Sequence, residues 1–352
     1  MLQSLYTGLS GLLAHQKALD VTANNIGNYN NPDYIKRTVN FTDNPIKSLQ
    51  DAALNRIGSG THVQSIQRVK DEFLYNHLNS SKEHHGLYQE QANAMRSVND
   101  EVTKEDFSSM YDTFFESLNR QVNMPHNIEL KYIAEQNGKN LVKRAEEIQE
   151  IFKNQVQENN EKTKIFTDEK TLYTKELDKI NLEIKKIEAL NEFKMDKTYA
   201  NSLRDKKDSL EVKIIEKDAG IKSLTQSSKD LTSLNNTFND LFSKDYSGIK
   251  EWLGSDKNSE DGLKLLGEEE NIKNNQKDFI HDIGFKSNTL DTMLGSSETI
   301  MNNLQDRYNE KSKVNLDEEM TNQIRFQRAY EASAIVIRTA DEILKTTLDL
   351  KR

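Results

Sequence analysis

After Pro125 the chain runs to its last residue, Arg352, without another proline. Proline ends helices, because it lacks a backbone donor and its ring collides with the preceding turn, so helix is unopposed across that stretch. Composition agrees with this. Of 352 residues only 35% are hydrophobic and 30% are charged, and the mean hydropathy is −0.82. That balance suits helices that pack one stripe and give the rest of their surface to water, whereas one thick globular core needs more apolar mass. The expected fold is mainly α and elongated.

The same inventory excludes several classes of function. With no cysteine, disulfides, thiolate zinc sites, iron–sulfur clusters and cysteine nucleophiles are all out of reach. No apolar run approaches the roughly 20 residues that span a bilayer; Ala334 to Ile337 is among the longest. The first lysine is Lys17 and the early apolar residues are interleaved with polar ones, which is not the pattern of a cleaved secretory signal. A balance of 48 Lys+Arg against 57 Asp+Glu, net −9, disfavours nucleic acid as the main partner.

At the N-terminus Leu2, Leu5, Leu9, Leu12, Leu19 and Ile26 recur at steps of three and four, with Gln16 and Ala23 in the two remaining places. That is a heptad stripe. Gly8 and Gly11 inside it cost about 1 kcal/mol each relative to Ala, so the helix depends on a partner. The run Asn24 to Asp33, with Gly27 and Pro32, ends it, and residues 1–33 form a first segment. Residues 34–69 are richer in β-branched and aromatic side chains (Ile35, Thr38, Val39, Phe41, Thr61, Val63, Ile66, Val69), broken by Pro45 and Gly58-Ser59-Gly60. They are expected to form a small β-rich or extended connector.

From Lys70 a helical period returns, punctuated by Gly86 and Pro125. Phe166, Tyr173, Ile180 and Ile187 recur every seven residues, with Leu177 and Ile184 between them. A helix from Phe166 to Leu190 would be roughly 37 Å long at about 1.5 Å per residue. A second series, Leu203, Leu210, Ile214, Ile221, Leu224 and Leu231, follows a break at Lys194 to Thr198, and the two predict an antiparallel hairpin within a helical domain, residues 70–242. Residues 243–275, with Trp252, several glycines and mostly polar neighbours, are expected to form a short irregular cap. Leu290, Met293, Leu294, Ile300, Met301 and Leu304 mark a returning helix over 276–314. Asn315, with Glu318 three residues on, caps a last helix within 315–352, whose stripe is Tyr330, Ala334, Ile337, Leu344 and Leu348.

Chemistry-bearing constellations are lacking. Glu83, His84, His85, His62 and His77 have ligand character, but adjacent histidines point to different sides of a helix and no i, i+4 pair exists, so they are expected to be surface residues. Nucleophile elbows, phosphate-binding loops, dinucleotide fingerprints and EF-hand loops are missing. No catalytic, cofactor-binding or metal residue is expected, and the chain is not expected to be an enzyme. The terminal stripes carry two readings, packing into the body of a monomer or a reversible interface among many copies. Gly8, Gly11, Gln327 and Asp341 favour the second, and periodicity leaves both open.

Ser4-Leu5-Tyr6-Thr7-Gly8-Leu9-Ser10-Gly11-Leu12, Ala23-Asn24-Asn25-Ile26-Gly27-Asn28, Val314-Asn315-Leu316-Asp317-Glu318-Glu319-Met320 and Phe326-Gln327-Arg328-Ala329-Tyr330-Glu331-Ala332-Ser333-Ala334 stand at opposite ends of the chain. In these residues it resembles the axial rod and hook proteins of the bacterial flagellum. Val63 to Asn79, Phe107 to Asn119 and Asn201-Ser202-Leu203-Arg204-Asp205 are similar to the helical parts of hook-associated members, whereas rod and hook proteins have β-rich bodies. Two features depart from the family. Asp33 stands where relatives often have Gly, and only 243–275 occupies the place of a β-rich outer domain.

The resemblance implies a structural subunit of the hook–filament junction, in a ring of identical copies. Its partners would be the hook protein, the next hook-associated protein and a cytosolic export chaperone. It would be located in the flagellum, outside the cell, after type III export without a cleaved signal, with ends that order as they assemble. The residues implied in axial assembly are Leu2, Leu5, Leu9, Leu12, Leu19, Asn24, Asn25 and Ile26, paired as a coiled coil with Leu316, Phe326, Tyr330, Ala334, Ile337, Leu344 and Leu348. The alternatives are a cytosolic coiled-coil scaffold or another hook or rod protein.

Overall fold

The computed structural model describes residues 2–43, 60–104, 107–190, 197–255 and 259–350. In chain order the elements are α1 (Leu2–Gly27), β1 (Arg37–Asp43), β2 (Thr61–Arg68), α2 (Glu72–Thr103), α3 (Phe107–Asn123), α4 (Ile128–Leu190), α5 (Lys197–Gly254), α6 (Ser259–Ser312) and α7 (Leu316–Asp349). The fold is mainly α with one small antiparallel sheet, as expected. It forms two compact units, residues 1–79, 174–212 and 302–352 in the first, and 80–173 and 213–301 in the second. Helices α2, α4, α5 and α6 each contribute to both.

In the first unit α1 ends in a turn where Asn28 N–H donates to Asn24 O at 3.1 Å and Asp33 N–H to Asn31 Oδ1 at 3.1 Å. The connector then pairs β1 with β2 from Arg37↔Arg68 to Asp43↔Thr61, with a bulge between Asn40 and Phe41. Gly60 has φ of 93°, and a Cβ there would lie 3.1 Å from Thr7 Cα in α1, so glycine is required both for its backbone and for the close approach. Pro45 and Gly58-Ser59, expected as breaks, lie outside the described residues. Opposite charges on α4 and α5 meet in antiparallel order, Glu188 with Arg204 at 2.7 Å and Glu176 with Lys206 at 2.7 Å. Ile180, Ile184, Leu203 and Leu210 are buried in this unit. The expected break at Lys194 to Thr198 falls largely outside the described residues, and α5 starts at Lys197.

The second unit is built on aromatic packing. In α3, Phe107, Tyr111, Phe114, Phe115 and Leu118 recur at helical steps and are all buried. Phe114 meets Trp252 edge-on at 5.9 Å, and Phe279 lies 5.1 Å from Phe238 and 6.2 Å from Phe152. Glycines here admit neighbours: a Cβ on Gly138 would sit 2.9 Å from the Phe114 ring. Gly86 does not interrupt α2, because it packs where a Cβ would meet Ala219 at 2.8 Å. Pro125 does separate α3 from α4.

The largest departure from expectation is 243–275. In place of an irregular cap, α5 continues to Gly254 and α6 starts at Ser259, well before the expected residue 276. Ile249, Trp252, Leu265 and Ile272 are buried in the core, while Lys250, Glu251, Glu260, Lys264, Glu268 and Glu270 between them face water. A stripe so sparse reads as loop until its partner surface is known. Full burial of an aromatic side chain leads to a clear expectation. Trp252→Ala should destabilise the chain by about 3 to 5 kcal/mol, measured by denaturant unfolding, whereas a substitution in an exposed cap would shift it by about 0.5 kcal/mol or less.

Candidate assembly interface

Helix α1 packs along α7, and the α1 side of the seam between them carries glycines. A Cβ on Gly8 would lie 2.7 Å from Ile337 Cγ1, and one on Gly11 would lie 2.8 Å from Ser333 Oγ. Ala14, Ala18 and Val21 of α1 and Ala340 of α7 are buried. The two glycines therefore do more than weaken the helix: they let the two backbones approach. The leucine stripe expected to form the seam lies beside it. Leu5, Leu12, Leu19 and Ile26 are half-buried and Leu9 is exposed; Leu2 is the first residue of α1. Across the pair, Leu316, Phe326, Tyr330, Ala334, Ile337 and Leu344 are half-buried and Leu348 is exposed.

Large apolar side chains are thus left on the outside. Tyr6, Leu9 and Leu13 on α1, and Met320, Ile324, Ile335, Val336, Ile343 and Leu348 on α7, all face solvent. Such concentration on two neighbouring helices is the mark of an interaction surface. A single chain also pairs its ends already, where the resemblance implied ends ordered only on assembly.

A polar node holds that pairing. Asn25, 1% exposed, donates from Nδ2 to Arg37 O at 2.9 Å and accepts at Oδ1 from Arg37 N–H at 3.0 Å and Tyr34 Oη at 2.7 Å. Asn24 is exposed and accepts from the same hydroxyl at 3.1 Å. Asn25 and Thr22 also hydrogen-bond the buried Glu319 carboxylate of α7; burial pushes that carboxyl up from its usual value and these bonds oppose the rise. Lys36 N–H donates to Ser312 O at 2.9 Å, and Lys313 Nζ donates to the carbonyls of Pro32 and Tyr34. Asn315 caps α7 as expected, accepting from Asp317 N–H at 3.0 Å, while the Glu318 carboxylate pairs with Lys36 at 3.0 Å.

Behind the node, ions lock the sheet to α5 within the first unit. Asp205 lies 2.7 Å from Arg68 Nε and 3.4 Å from Arg37 Nη2, and Asp208 pairs with Arg68 and, at 3.1 Å, with Lys70. Lys70 Nζ sits 3.6 Å from the centre of the Tyr75 ring, whose hydroxyl donates to Asp208 O at 3.2 Å. Burial pushes the Asp205 carboxyl up, against the pull of Arg68 and Arg37. A groove of about 760 Å³ beside the cluster is lined by Arg68, Lys70, Arg204 and Asp208, all engaged in these or neighbouring ion pairs. Sequence reasoning missed this cluster, because its cations stand more than 130 residues from the carboxylates they pair with. Among the described residues no group of His, Asp and Glu could hold a metal ion, and no helix is long and apolar enough to cross a membrane.

Two outcomes are expected from this geometry. Gly8→Val should clash with Ile337, loosen α1 by about 1 to 3 kcal/mol in amide exchange, and be rescued in part by Ile337→Ala. Glu319 holds its proton more tightly in the folded chain than at the usual 4.5, so its cost is full above the folded pKa and relieved as pH falls toward 4.5. Glu319→Gln should therefore raise the Tm at pH 7, with the gain shrinking toward pH 4.5.

Residues 5–34 match the family model described as flagella basal body rod protein, and residues 305–350 the one described as flagellar basal body rod FlgEFG protein C-terminal. The flagellar hook protein FlgE of Borreliella burgdorferi is 37% identical over 79 residues, covering 20% of this chain and 18% of that protein. Flagellar hook-associated protein 1 of Bacillus subtilis is 30% identical over 87 residues, covering 25% of this chain and 17% of its own length. The chain therefore spans less than a fifth of the length of either curated relative. No solved structure matches it. The segments that α1 and α7 bring together are the ones that match these two flagellar rod family models.

Proposed function

We propose that the chain is a hook-associated structural subunit, built into the junction between flagellar hook and filament, and that it joins copies of itself through its paired ends. The observation that carries this reading is the placement of side chains on α1 and α7, with glycines of α1 facing α7 inside the pair and many large apolar side chains left outside. Burying one leucine contributes about 1.5 to 3 kcal/mol. Tyr6, Leu9, Leu13, Ile324, Ile335 and Ile343 have no such burial in one copy, and neighbouring copies would supply it.

The hook-associated reading, as against hook or rod, is supported by the helical body and by the likeness to hook-associated protein 1. In this reading residues 1–33 and 315–352 are the axial segments, 34–69 the connector, and the helices between them an outer wall that sets subunit orientation. The role is structural rather than enzymatic. Neighbours are further copies, the hook protein and the next hook-associated protein. Type III export, with a cytosolic chaperone on the C-terminal stretch, delivers the chain outside the cell, and a polypeptide without cysteine has no disulfide to hinder passage through a narrow channel.

A cytosolic coiled-coil scaffold would instead form stable homodimers in solution. Deleting residues 1–28 or 330–352 separates the readings. The aromatic core of the second unit should stay folded by near-ultraviolet circular dichroism, while the subunit disappears from isolated hook–basal bodies. Truncated subunits retained at the hook tip would overturn the proposal.

A further inference from the structure

We propose that His15 makes the pairing of the chain ends sensitive to pH, because its imidazole is packed between a strand of the connector and α7 in a place that suits only the neutral ring. The imidazole of α1 lies 5.6 Å from the Phe41 ring of β1 and 6.4 Å from the Phe326 ring of α7, and the two phenyl rings are themselves 6.0 Å apart. The three rings thus join the three elements that meet at the end pair. His15 Nδ1 is buried without a hydrogen-bond partner. A neutral imidazole can leave that nitrogen unprotonated, as an idle acceptor, by carrying its proton on Nε2. An imidazolium cannot, since both nitrogens then carry protons and the one on Nδ1 faces no acceptor.

The surroundings do not offset this cost. Charged groups on the packed elements are Lys17 and Asp20 on α1, Arg37 and Asp43 on β1, His62 and Arg68 on β2, and on α7 Asp317, Glu318, Glu319, Arg325, Arg328, Glu331, Arg338, Asp341, Glu342, Lys345 and Asp349; none of them is a hydrogen-bond partner of His15 Nδ1. Arg325 lies 4.7 Å from the centre of the Phe326 ring, so a cation already occupies that aromatic group, while Arg37 and Arg68 are committed to Asp205. The phenyl faces offer an imidazolium no acceptor for the proton on its buried Nδ1. Burial holds the imidazole below its usual value of 6.5. An undocked end therefore binds the proton more readily than a docked one. The contribution of His15 to pairing is complete above pH 6.5 and is lost as pH falls below it. Glu319 acts in the opposite sense, so the two are separated by variants rather than by a single melting curve.

The full chain tests this with two readouts. Histidine signals followed by NMR, with His15 assigned through His15→Gln, should show His15 titrating below 6.5. Amide exchange in α1 and α7, corrected for intrinsic rates, should rise between pH 7.5 and 5.5 by up to tenfold per pH unit, and this rise should vanish in His15→Phe. Titration of His15 at or above 6.5 would overturn the proposal, whatever the fate of the phenylalanine variant. So would an equal pH response in wild type and in a folded His15→Phe chain.

Discussion

The side chain of Asn25 grips the backbone of Arg37 at both its amide and its carbonyl, in the way one strand grips another. Small apolar seams slide, and among the described residues Asn25, with Asn24 taking the Tyr34 hydroxyl beside it, gives helix α1 its directional hold on the connector. One amide side chain fixes where the helix stops relative to the start of β1, and its Oδ1 also takes the Tyr34 hydroxyl. Glu319 extends the same grip to α7. A buried polar group costs stability unless every bond is made, and that requirement gives the node its specificity: a shift of one residue in α1 would orphan several donors together.

Within this frame the apolar residues divide by size. Gly8 and Gly11 lie between the helices and permit close approach to Ile337 and Ser333, at a sacrifice of buried area; Tyr6, Leu9, Leu13, Ile324, Ile335 and Ile343 lie on the outer face. A monomer selected only for stability would place the larger residues inside. The inverted arrangement is intelligible if the outer face has its own partners. Position is assured by the polar node, and area is held in reserve for contacts beyond the pair.

Local chemistry was legible in the sequence and long-range chemistry was not. Asn315 declared itself as a helix cap because its partners are two and three residues away. The terminal stripes announced helices, yet their seam is offset: Gly8, Gly11, Ala14 and Ala18 carry no hydrophobic signal, although their three- and four-residue spacing matches that of the leucines. Gly8 and Gly11 were conspicuous, but whether a glycine weakens a helix or admits a neighbour depends on what lies across from it, here Ile337 and Ser333. Trp252 was misjudged for a related reason, since its stripe is thin and its aromatic partner Phe114 is far along the chain. Asp205 lay inside a recognised motif, but nothing near it foretells Arg37 or Arg68.

Unequal packing has a consequence for how the chain yields. The second unit buries large aromatic rings in mutual contact, including Phe114, Phe152, Phe279 and Trp252, each contributing far more than any alanine of the end pair. Opening free energies differ widely within one protein, and segments with small buried area open first. The end pair should therefore open before the aromatic core of the second unit, while its polar node defines a single geometry to which it returns. Softness with a specified endpoint is what a subunit needs if its ends must part, pass neighbours and close again in register, and a seam of larger residues would trade that reversibility for stability in the isolated chain.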